Sequence, residues 1–407
     1  MKKTKFLSAV VALTLLVGAI LTGCQTTAPA ASDAAATAAA ETVSAAASAA
    51  AGASGTIKIG AIMPMTGDVS VYGTSTSNAI KLAIDEVNAA GGVNGQQLEL
   101  VLEDDQNTPD VSINCFNKLV SQDKVDVIIG SVASKCTLAI APLAQQAGIP
   151  LITTASTNAD VTKAGDFIYR TCFIDPFQGT VCAKFALENL KLTTAAIIYD
   201  NGNDYSKGLA TNFKAAFTAG GGTVTNEEAY SLADQDFSAI IAKVKEKNPQ
   251  ILFVPDYYGK NALIAKQVRA AGLTDIVLLG GDGWDGIVDN GDVASAGAYY
   301  SNHYDSGSDD ADVKSFVDKY KAKYNETPNA LAALGYDALN IVAQAIKAAG
   351  STDKAAVRDA IAKTDAKFVT GNIKYDENRN PVKSAVIVSV YNDNGKLAQK
   401  YYATVDP

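Results

Sequence analysis

The sequence has little of the chemistry on which most catalytic sites depend. Its 407 residues contain one histidine, His303, and five cysteines with no Cys-x-x-Cys pair. A Ser-His-Asp or Cys-His site would have to use His303 as its base, and clusters of metal-binding Cys and His find no support. We interpret His303 as a structural residue of a strand. A pair of catalytic carboxylates stays open, but nothing in the sequence requires one, so we expect no enzyme, no metal and no cofactor.

Phosphate-binding motifs and a net positive charge are also missing. No Gly-x-Gly-x-x-Gly follows the first apolar strand, and no Gly-x-x-x-x-Gly-Lys-Ser/Thr occurs. The formal charge is -9 and falls to about -12 without Lys2, Lys3 and Lys5, which lie in a segment that we expect to be removed. Nucleic acid and anionic lipid surfaces are therefore not expected as partners.

The amino terminus reads as a secretion signal. Three lysines precede an apolar run from Phe6 to Ile20, which is shorter than the roughly 20 residues that span a bilayer, and small residues lead to Cys24. The sequence Leu21–Cys24 resembles the lipobox of bacterial lipoproteins. That resemblance implies a signal peptide over residues 1–23 and a lipidated Cys24. The alternative is an ordinary signal peptide.

A segment rich in Ala, Ser and Thr follows, and we assign residues 24–55 to a tether between the membrane and the folded body. It contains too little bulky apolar surface to offset the entropy of ordering, although alanine also favours a fluctuating helix. After Thr56, short β-rich runs alternate with amphipathic helices. Such alternation predicts the α/β class, with parallel sheets covered on both faces. The pattern restarts at Ala195, which predicts two lobes.

Ligands of parallel sheets bind beyond the carboxyl ends of the strands, and the loops expected there are rich in hydroxyls, glycine and aromatics. Ser134 begins a helix, where it could hold a carboxylate or simply cap the helix, and the sequence leaves both open. Thr157 ends a second hydroxyl cluster. Asp282 could pair with an ammonium group or be a turn residue, and the spacing of nearby acids does not match a calcium loop. Aromatic walls are expected from Tyr72, Tyr205, Tyr257 and Trp284.

Several strings resemble the branched-chain amino acid binding proteins of ABC transporters. They are Ile59–Gly67, Tyr72-Gly73, Ala83–Gly95, Glu103–Asp105 and Arg269–Leu273. The resemblance runs from about Thr56 to about Lys396. It implies the type I periplasmic binding fold, with two doubly wound parallel-sheet lobes joined by a three-crossing hinge around a ligand cleft. We expect residues 56–175 and 303–388 in the N-terminal lobe, and residues 176–302 and 389–407 in the C-terminal lobe.

The resemblance also implies roles for individual residues. The ligand carboxylate would be held by Ser134 and Thr157, and the ammonium group by the carbonyl of Ala155 and by Asp282. Asp282 stands where leucine-type members usually carry Glu, so the ammonium geometry should differ. Leu331 stands where they carry a bulky aromatic wall, so the side-chain pocket should differ too.

The cysteines do not follow the family pattern, because its disulfide would need a partner near Asn107. Two alternatives stay open: disulfides Cys115–Cys136 and Cys172–Cys182, or buried free thiols.

The resulting hypothesis is an extracytoplasmic, membrane-anchored, monomeric binding subunit of an ABC importer. It would capture free amino acids, above all Leu, Ile or Val, and deliver them to a membrane permease. The alternatives are the same role for a polar amino acid, urea, an amide or a short peptide, or a ligand-sensing receptor ectodomain. A sugar fits the predicted acid and hydroxyls less well.

Overall fold

A computed structural model describes residues 55–406. The predicted signal peptide, residues 1–23, and the lipidated Cys24 with its tether, residues 24–55, lie outside the described residues apart from Gly55. Between residues 55 and 406, no helix has the length and apolar character needed to cross a bilayer.

Strands and helices alternate along most of the described chain. The strands are β1 (Thr56–Met63), β2 (Gln97–Asp104), β3 (Val127–Gly130), β4 (Leu151–Thr153), β5 (Ile168–Arg170), β6 (Thr194–Asp200), β7 (Thr223–Tyr230), β8 (Ile251–Phe253), β9 (Val277–Gly280), β10 (Tyr299–Asn302), β11 (Asp365–Phe368), β12 (Gly371–Lys374), β13 (Ala385–Asp393) and β14 (Lys396–Val405). The helices are α1 (Ser70–Ala89), α2 (Pro109–Lys118), α3 (Ser134–Ala147), α4 (Asp175–Lys184), α5 (Asp204–Ala219), α6 (Ser238–Lys247), α7 (Tyr258–Ala270), α8 (Ile287–Asn290), α9 (Ala311–Tyr324), α10 (Ala330–Ala349) and α11 (Lys354–Ile361).

The first lobe is built on a five-stranded parallel sheet with the order β2-β1-β3-β4-β5. Its central strands are buried on both faces: Ile59, Ile128 and Ile152 are completely buried. Helices α1 and α10 pack against each other on this lobe, and α2 packs against α3. This double cover explains why these strands read as continuous apolar runs in the sequence.

The second lobe is built on a seven-stranded sheet with the order β14-β13-β10-β9-β8-β6-β7. Strands β6 to β10 form its parallel part, whereas β13 runs antiparallel to β10 and β14 antiparallel to β13. The expectation of two parallel sheets is therefore correct for the first lobe, and the second carries a hairpin at one edge. Antiparallel strands can be joined by a short turn, so the chain adds β14 to β13 without a crossover helix.

Short polar residues and glycines mark several helix ends. The side chains of Asn203 and Asn329 accept hydrogen bonds from backbone amides at the starts of α5 and α10. Gly148 and Gly350 adopt left-handed conformations at the ends of α3 and α10, with φ of 60° and 68°. These are the residue types that satisfy free backbone groups at each end.

The chain passes between the lobes three times, at residues 171–174, 303–310 and 375–384. The third passage ends where β13 begins, at Ala385, and Ile387 pairs with Ser301 of β10. The expected domain boundary at 388/389 therefore falls inside a strand of the second sheet. Strand pairing, which is not visible in the local sequence, moves this boundary toward the amino terminus.

Candidate functional site

A small cavity lies between the two lobes. About 20 Å³ of it can hold the centre of a water molecule. Its lining consists of Tyr72, Val132, Ser134, Ala155, Tyr205, Tyr257, Asp282, Gly283 and Leu331. Seven of these nine residues were expected from the sequence, and Val132 and Gly283 are additional. Thr157 and Trp284 were expected there but do not line the cavity.

Ser134 opens α3 directly at the cavity. The capping position before the helix is taken by Ala133, and no side chain caps the helix. The Ser134 hydroxyl instead accepts a hydrogen bond from the amide of Asn158 at 3.3 Å. Of the two roles that the sequence left open, the structure therefore removes capping. The first amides of a helix have no partner within it and carry partial positive charge, so this end of the cavity suits a carboxylate.

The hydroxyl cluster after β4 fixes two loops to each other. Thr153 and Ser156 both donate to the carbonyl of Ser131, at 2.6 and 3.3 Å. Ala155, between them, reaches the cavity. Thr157 is completely buried, and its hydroxyl has no hydrogen-bond partner among the described residues. Most of this cluster therefore supports the loop, and Ala155 alone lines the cavity.

Asp282 faces the cavity from the second lobe, just after β9, and is 4% exposed. Its Oδ1 accepts a hydrogen bond from Gln178 Nε2 at 2.9 Å, and its Oδ2 lies 3.0 Å from His303 Nε2. Burial is the main cause that lowers the pKa of His303, so its ring is neutral near pH 7. Among the described residues, the carboxylate has hydrogen-bond partners but no cation, and it can attract an ammonium group.

Three tyrosines close the cavity. The Tyr72 hydroxyl donates to the carbonyl of Gly283 at 2.6 Å, and the amide of Gly283 donates to the Tyr205 hydroxyl at 3.0 Å. The rings of Tyr205 and Tyr257 stack with centroids 5.4 Å apart, and Tyr72 meets Tyr257 edge-on at 5.8 Å. Apolar ring faces thus form one wall, and the hydroxyls of Tyr72 and Tyr205 hold the Gly283 backbone.

Leu331 lines the cavity, whereas Trp284 does not. Leu331 stands in the first turn of α10 and contributes an apolar wall. Trp284 is completely buried, and its indole donates to the carbonyl of Val254 at 2.7 Å. A side chain at Gly280 would collide with this ring at 1.9 Å. Trp284 is therefore a core residue beneath the cavity loop, which corrects its expected place in the cavity wall.

A second acid lies near Asp282. Asp175, at the start of α4, is 1% exposed, and neither carboxylate oxygen has a hydrogen-bond partner within residues 55–406. Burial raises the pKa of Asp175 to about 8, the adjacent Thr157 hydroxyl limits the rise, and the nearby charge of Asp282 adds to it. Across the same residues, no three His, Cys, Asp or Glu side chains are grouped as metal ligands would be.

The four cysteines of the described chain are buried and free. Cys115 donates to the carbonyl of Asp104 and Cys182 to that of Gly280, both at 3.4 Å, while Cys136 lies 3.9 Å from Asn107 Oδ1. Burial raises the pKa of Cys172 to about 12. Neither disulfide is present, and the free-thiol alternative describes the structure.

Two residues that support Asp282 were not recognised as part of the site. Gln178 lies on α4, more than a hundred residues from Asp282 in the chain, and no local pattern joins them. His303 could have been suspected because it is the only histidine and follows β10, the neighbour of β9 in the sheet. Its proximity to Asp282 depends on that strand order, which the sequence alone does not provide.

Comparisons with known proteins identify the family of this chain. A family model described as periplasmic binding protein matches residues 56–396. The leucine-, isoleucine-, valine-, threonine- and alanine-binding protein of Pseudomonas aeruginosa is 32% identical over 339 residues, which cover 80% of this chain and 87% of that protein.

Two solved structures are similar over nearly their whole length. The leucine binding protein LivK of Thermotoga maritima has a TM-score of 0.81 and 37% identity, covering 86% of this chain and 99% of that one. The substrate binding protein LivJ of Streptococcus pneumoniae, solved with isoleucine, has a TM-score of 0.79 and 34% identity, with the same coverage. The fold is the type I periplasmic binding fold, and this chain belongs to the periplasmic binding protein family, among relatives of the leucine-, isoleucine- and valine-binding proteins.

Proposed function

We propose that this protein is the extracytoplasmic solute-binding subunit of an ABC importer and that it captures free branched-chain amino acids without converting them. One observation carries the proposal: the cavity between the lobes has a helix start with Ser134 on one lobe, the carboxylate of Asp282 on the other, and apolar walls between them. A zwitterion presents the complementary charges. The helix start would receive the carboxylate and Asp282 the ammonium group.

The walls of the cavity support a small aliphatic ligand. The cavity volume of about 20 Å³ is far below the roughly 300–1,000 Å³ of drug-sized sites, so the lobes would have to move apart to admit any amino acid. Val132 and Leu331 are aliphatic, and the tyrosines offer ring faces, so a branched hydrocarbon side chain finds apolar contact. A sugar would leave Asp282 without a cation.

Hydrogen bonds that join the two lobes support a mechanism of cleft closure. Tyr72 of α1 holds Gly283, Asn158 donates to the carbonyl of Asp204 at 3.1 Å, and the amide of Ala330 donates to Asp285 at 2.7 Å. All three lie close in sequence to cavity residues. A ligand that contacts both lobes would stabilise this arrangement relative to an open one, and the three chain passages would act as the hinge.

The amino-terminal sequence supports a location on the outer side of a membrane. Lipidation of Cys24 would anchor it, because two or more acyl chains give lasting attachment. The tether would let the folded body reach a permease, and the ligand-closed monomer is the form that would dock there.

The test is thermal unfolding of residues 55–407 with each of the twenty amino acids, urea, short amides and sugars. A ligand at 100 times its Kd stabilises by about 2.7 kcal/mol, which for about 350 residues corresponds to roughly 3–4 °C in Tm. We expect shifts with Leu, Ile or Val that Asp282→Ala removes. A shift with another solute, and none with any amino acid, would leave transport in place but overturn the ligand and the role of Asp282. Mass spectrometry of the full chain from membranes checks for acylated Cys24.

A further inference from the structure

The single histidine of the chain, His303, contacts Asp282 of the binding site but does not line the cavity. His303 follows β10, where the chain leaves the second lobe, and is 2% exposed. Its ring stacks on Phe173, with centroids 3.9 Å apart and planes at 27°. Phe173 lies in the first chain passage and His303 begins the second, so this stacking joins two of the three connections.

The hydrogen bond to Asp282 defines how the proton sits on this ring. Because a carboxylate only accepts hydrogen bonds, the Nε2 atom, 3.0 Å from Asp282 Oδ2, must carry a proton. Nδ1 is buried and has no partner among the described residues. A neutral ring with its proton on Nε2 donates to Asp282 and leaves Nδ1 without a proton. The pair of Asp282 and His303 then keeps one net negative charge.

Gln178 holds the other oxygen. Its side-chain amide donates to Asp282 Oδ1 at 2.9 Å, and Gln178 is itself completely buried on α4. A carboxylate can accept about four hydrogen bonds, so these two donors leave acceptor capacity for a ligand. Both donors are uncharged, and they fix the orientation of the carboxylate without cancelling its charge.

We propose that His303 and Gln178 are positioning residues, which hold the carboxylate of Asp282 toward the cavity so that it binds the ammonium group of the ligand. The inference rests on the proposed function, and it explains how an aspartate, with its short side chain, acts as the acid of this site. Without the two donors, the carboxylate is free to rotate about its side-chain bonds, and its oxygens lose buried partners.

Two substitutions of His303 separate hydrogen bonding from packing. His303→Gln keeps an N–H donor at the same number of bonds from the backbone as Nε2 but removes the ring. His303→Phe keeps a ring on Phe173 but removes the donor. We expect His303→Phe to weaken leucine binding about tenfold, because the freed carboxylate of Asp282 must then be ordered when the ligand binds, and His303→Gln to remain within about threefold of the unchanged protein. Isothermal titration of leucine, isoleucine and valine measures both.

Unfolding of each ligand-free variant provides the control, and Phe173→Leu, which disturbs the stacking but keeps both donors, provides a second. The opposite order of the two His303 variants, or equal losses in both, would overturn the inference while leaving the proposed function intact. If His303→Phe does not fold, Gln178→Met takes its place, and unchanged leucine affinity in that variant would overturn the inference equally. If the unchanged protein binds none of the three amino acids, the proposed function fails, and the inference fails with it.

Discussion

The two backbone groups of Gly283 allow cleft closure to be tested with a matched pair of substitutions. Its carbonyl accepts a hydrogen bond from Tyr72 at 2.6 Å, and its amide donates to Tyr205 at 3.0 Å. Tyr72 lies on α1 of the first lobe. Tyr205 lies on α5 of the second lobe, and Gly283 belongs to the same lobe, after β9. One hydrogen bond therefore joins the lobes, and the other lies within a single lobe.

Tyr72→Phe should weaken ligand binding and leave the ligand-free fold nearly unchanged. In the closed form, the Gly283 carbonyl would stay buried without its partner, whereas in an open form water could replace the lost hydroxyl. An unsatisfied buried acceptor costs about 1–2 kcal/mol, which corresponds to about a 5- to 30-fold weaker affinity. The amide of Tyr258, 3.4 Å from the same hydroxyl, would lose its contact as well.

Tyr205→Phe should have the reverse effect. The Gly283 amide would lose its partner in open and closed forms alike, so the free energy of unfolding of the ligand-free protein should fall by about the same 1–2 kcal/mol. Isothermal titration with leucine and urea unfolding without ligand measure the two quantities. If Tyr72→Phe lowers ligand-free stability as much as it lowers affinity, or if Tyr205→Phe weakens binding more than Tyr72→Phe does, the assignment of closure to the Tyr72–Gly283 bond is wrong.

Two further predictions concern residues beside the cavity. Trp284→Phe removes the indole donor of the Val254 carbonyl and should lower the free energy of unfolding by about 1–3 kcal/mol in urea titrations, with leucine affinity changed less than threefold; a large affinity loss at unchanged stability would return Trp284 to the cavity wall. Asp175 has a folded-state pKa of about 8, above its ordinary value of 3.8, so the native protein binds its proton more tightly and loses stability as pH rises from about 4 to 8. Asp175→Asn should flatten the dependence of ligand-free stability on pH in that window, and an unchanged slope between pH 5 and 8 would contradict the burial of an unpaired carboxyl.

The sequence predicted those features whose cause is local. The sequence predicts a helix over Leu331–Ala348, and α10 forms over Ala330–Ala349. A long apolar face lies between Asn329 and Gly350, which are strong start and end signals. Residues in the loops after parallel strands were also expected at the cavity and line it, because these loops converge at one edge of each sheet.

Features that depend on distant pairing were not predictable. The antiparallel placement of β13 and β14 follows from pairing with β10. Hairpin β11–β12 pairs locally instead, but its sequence shows no clear apolar alternation. Trp284 follows Asp282 by only two residues, yet a tight helical turn sends its ring into the core. Cys172 and Cys182 lie ten residues apart, but Cys182 donates to Gly280 of β9 and no bond joins the two cysteines.

The charges around the cavity explain why a ligand would drive closure. Asp282 is buried there, and its hydrogen-bond partners among the described residues, Gln178 and the neutral His303, carry no positive charge. Burying a carboxylate without a cation is unfavourable. An open cleft would relieve this cost through water. A ligand ammonium group would supply the missing positive charge in the closed form, so the same carboxylate that opposes closure of the empty cleft favours closure around a zwitterion. Specificity for an ammonium-bearing ligand and the coupling of binding to closure then have one physical cause.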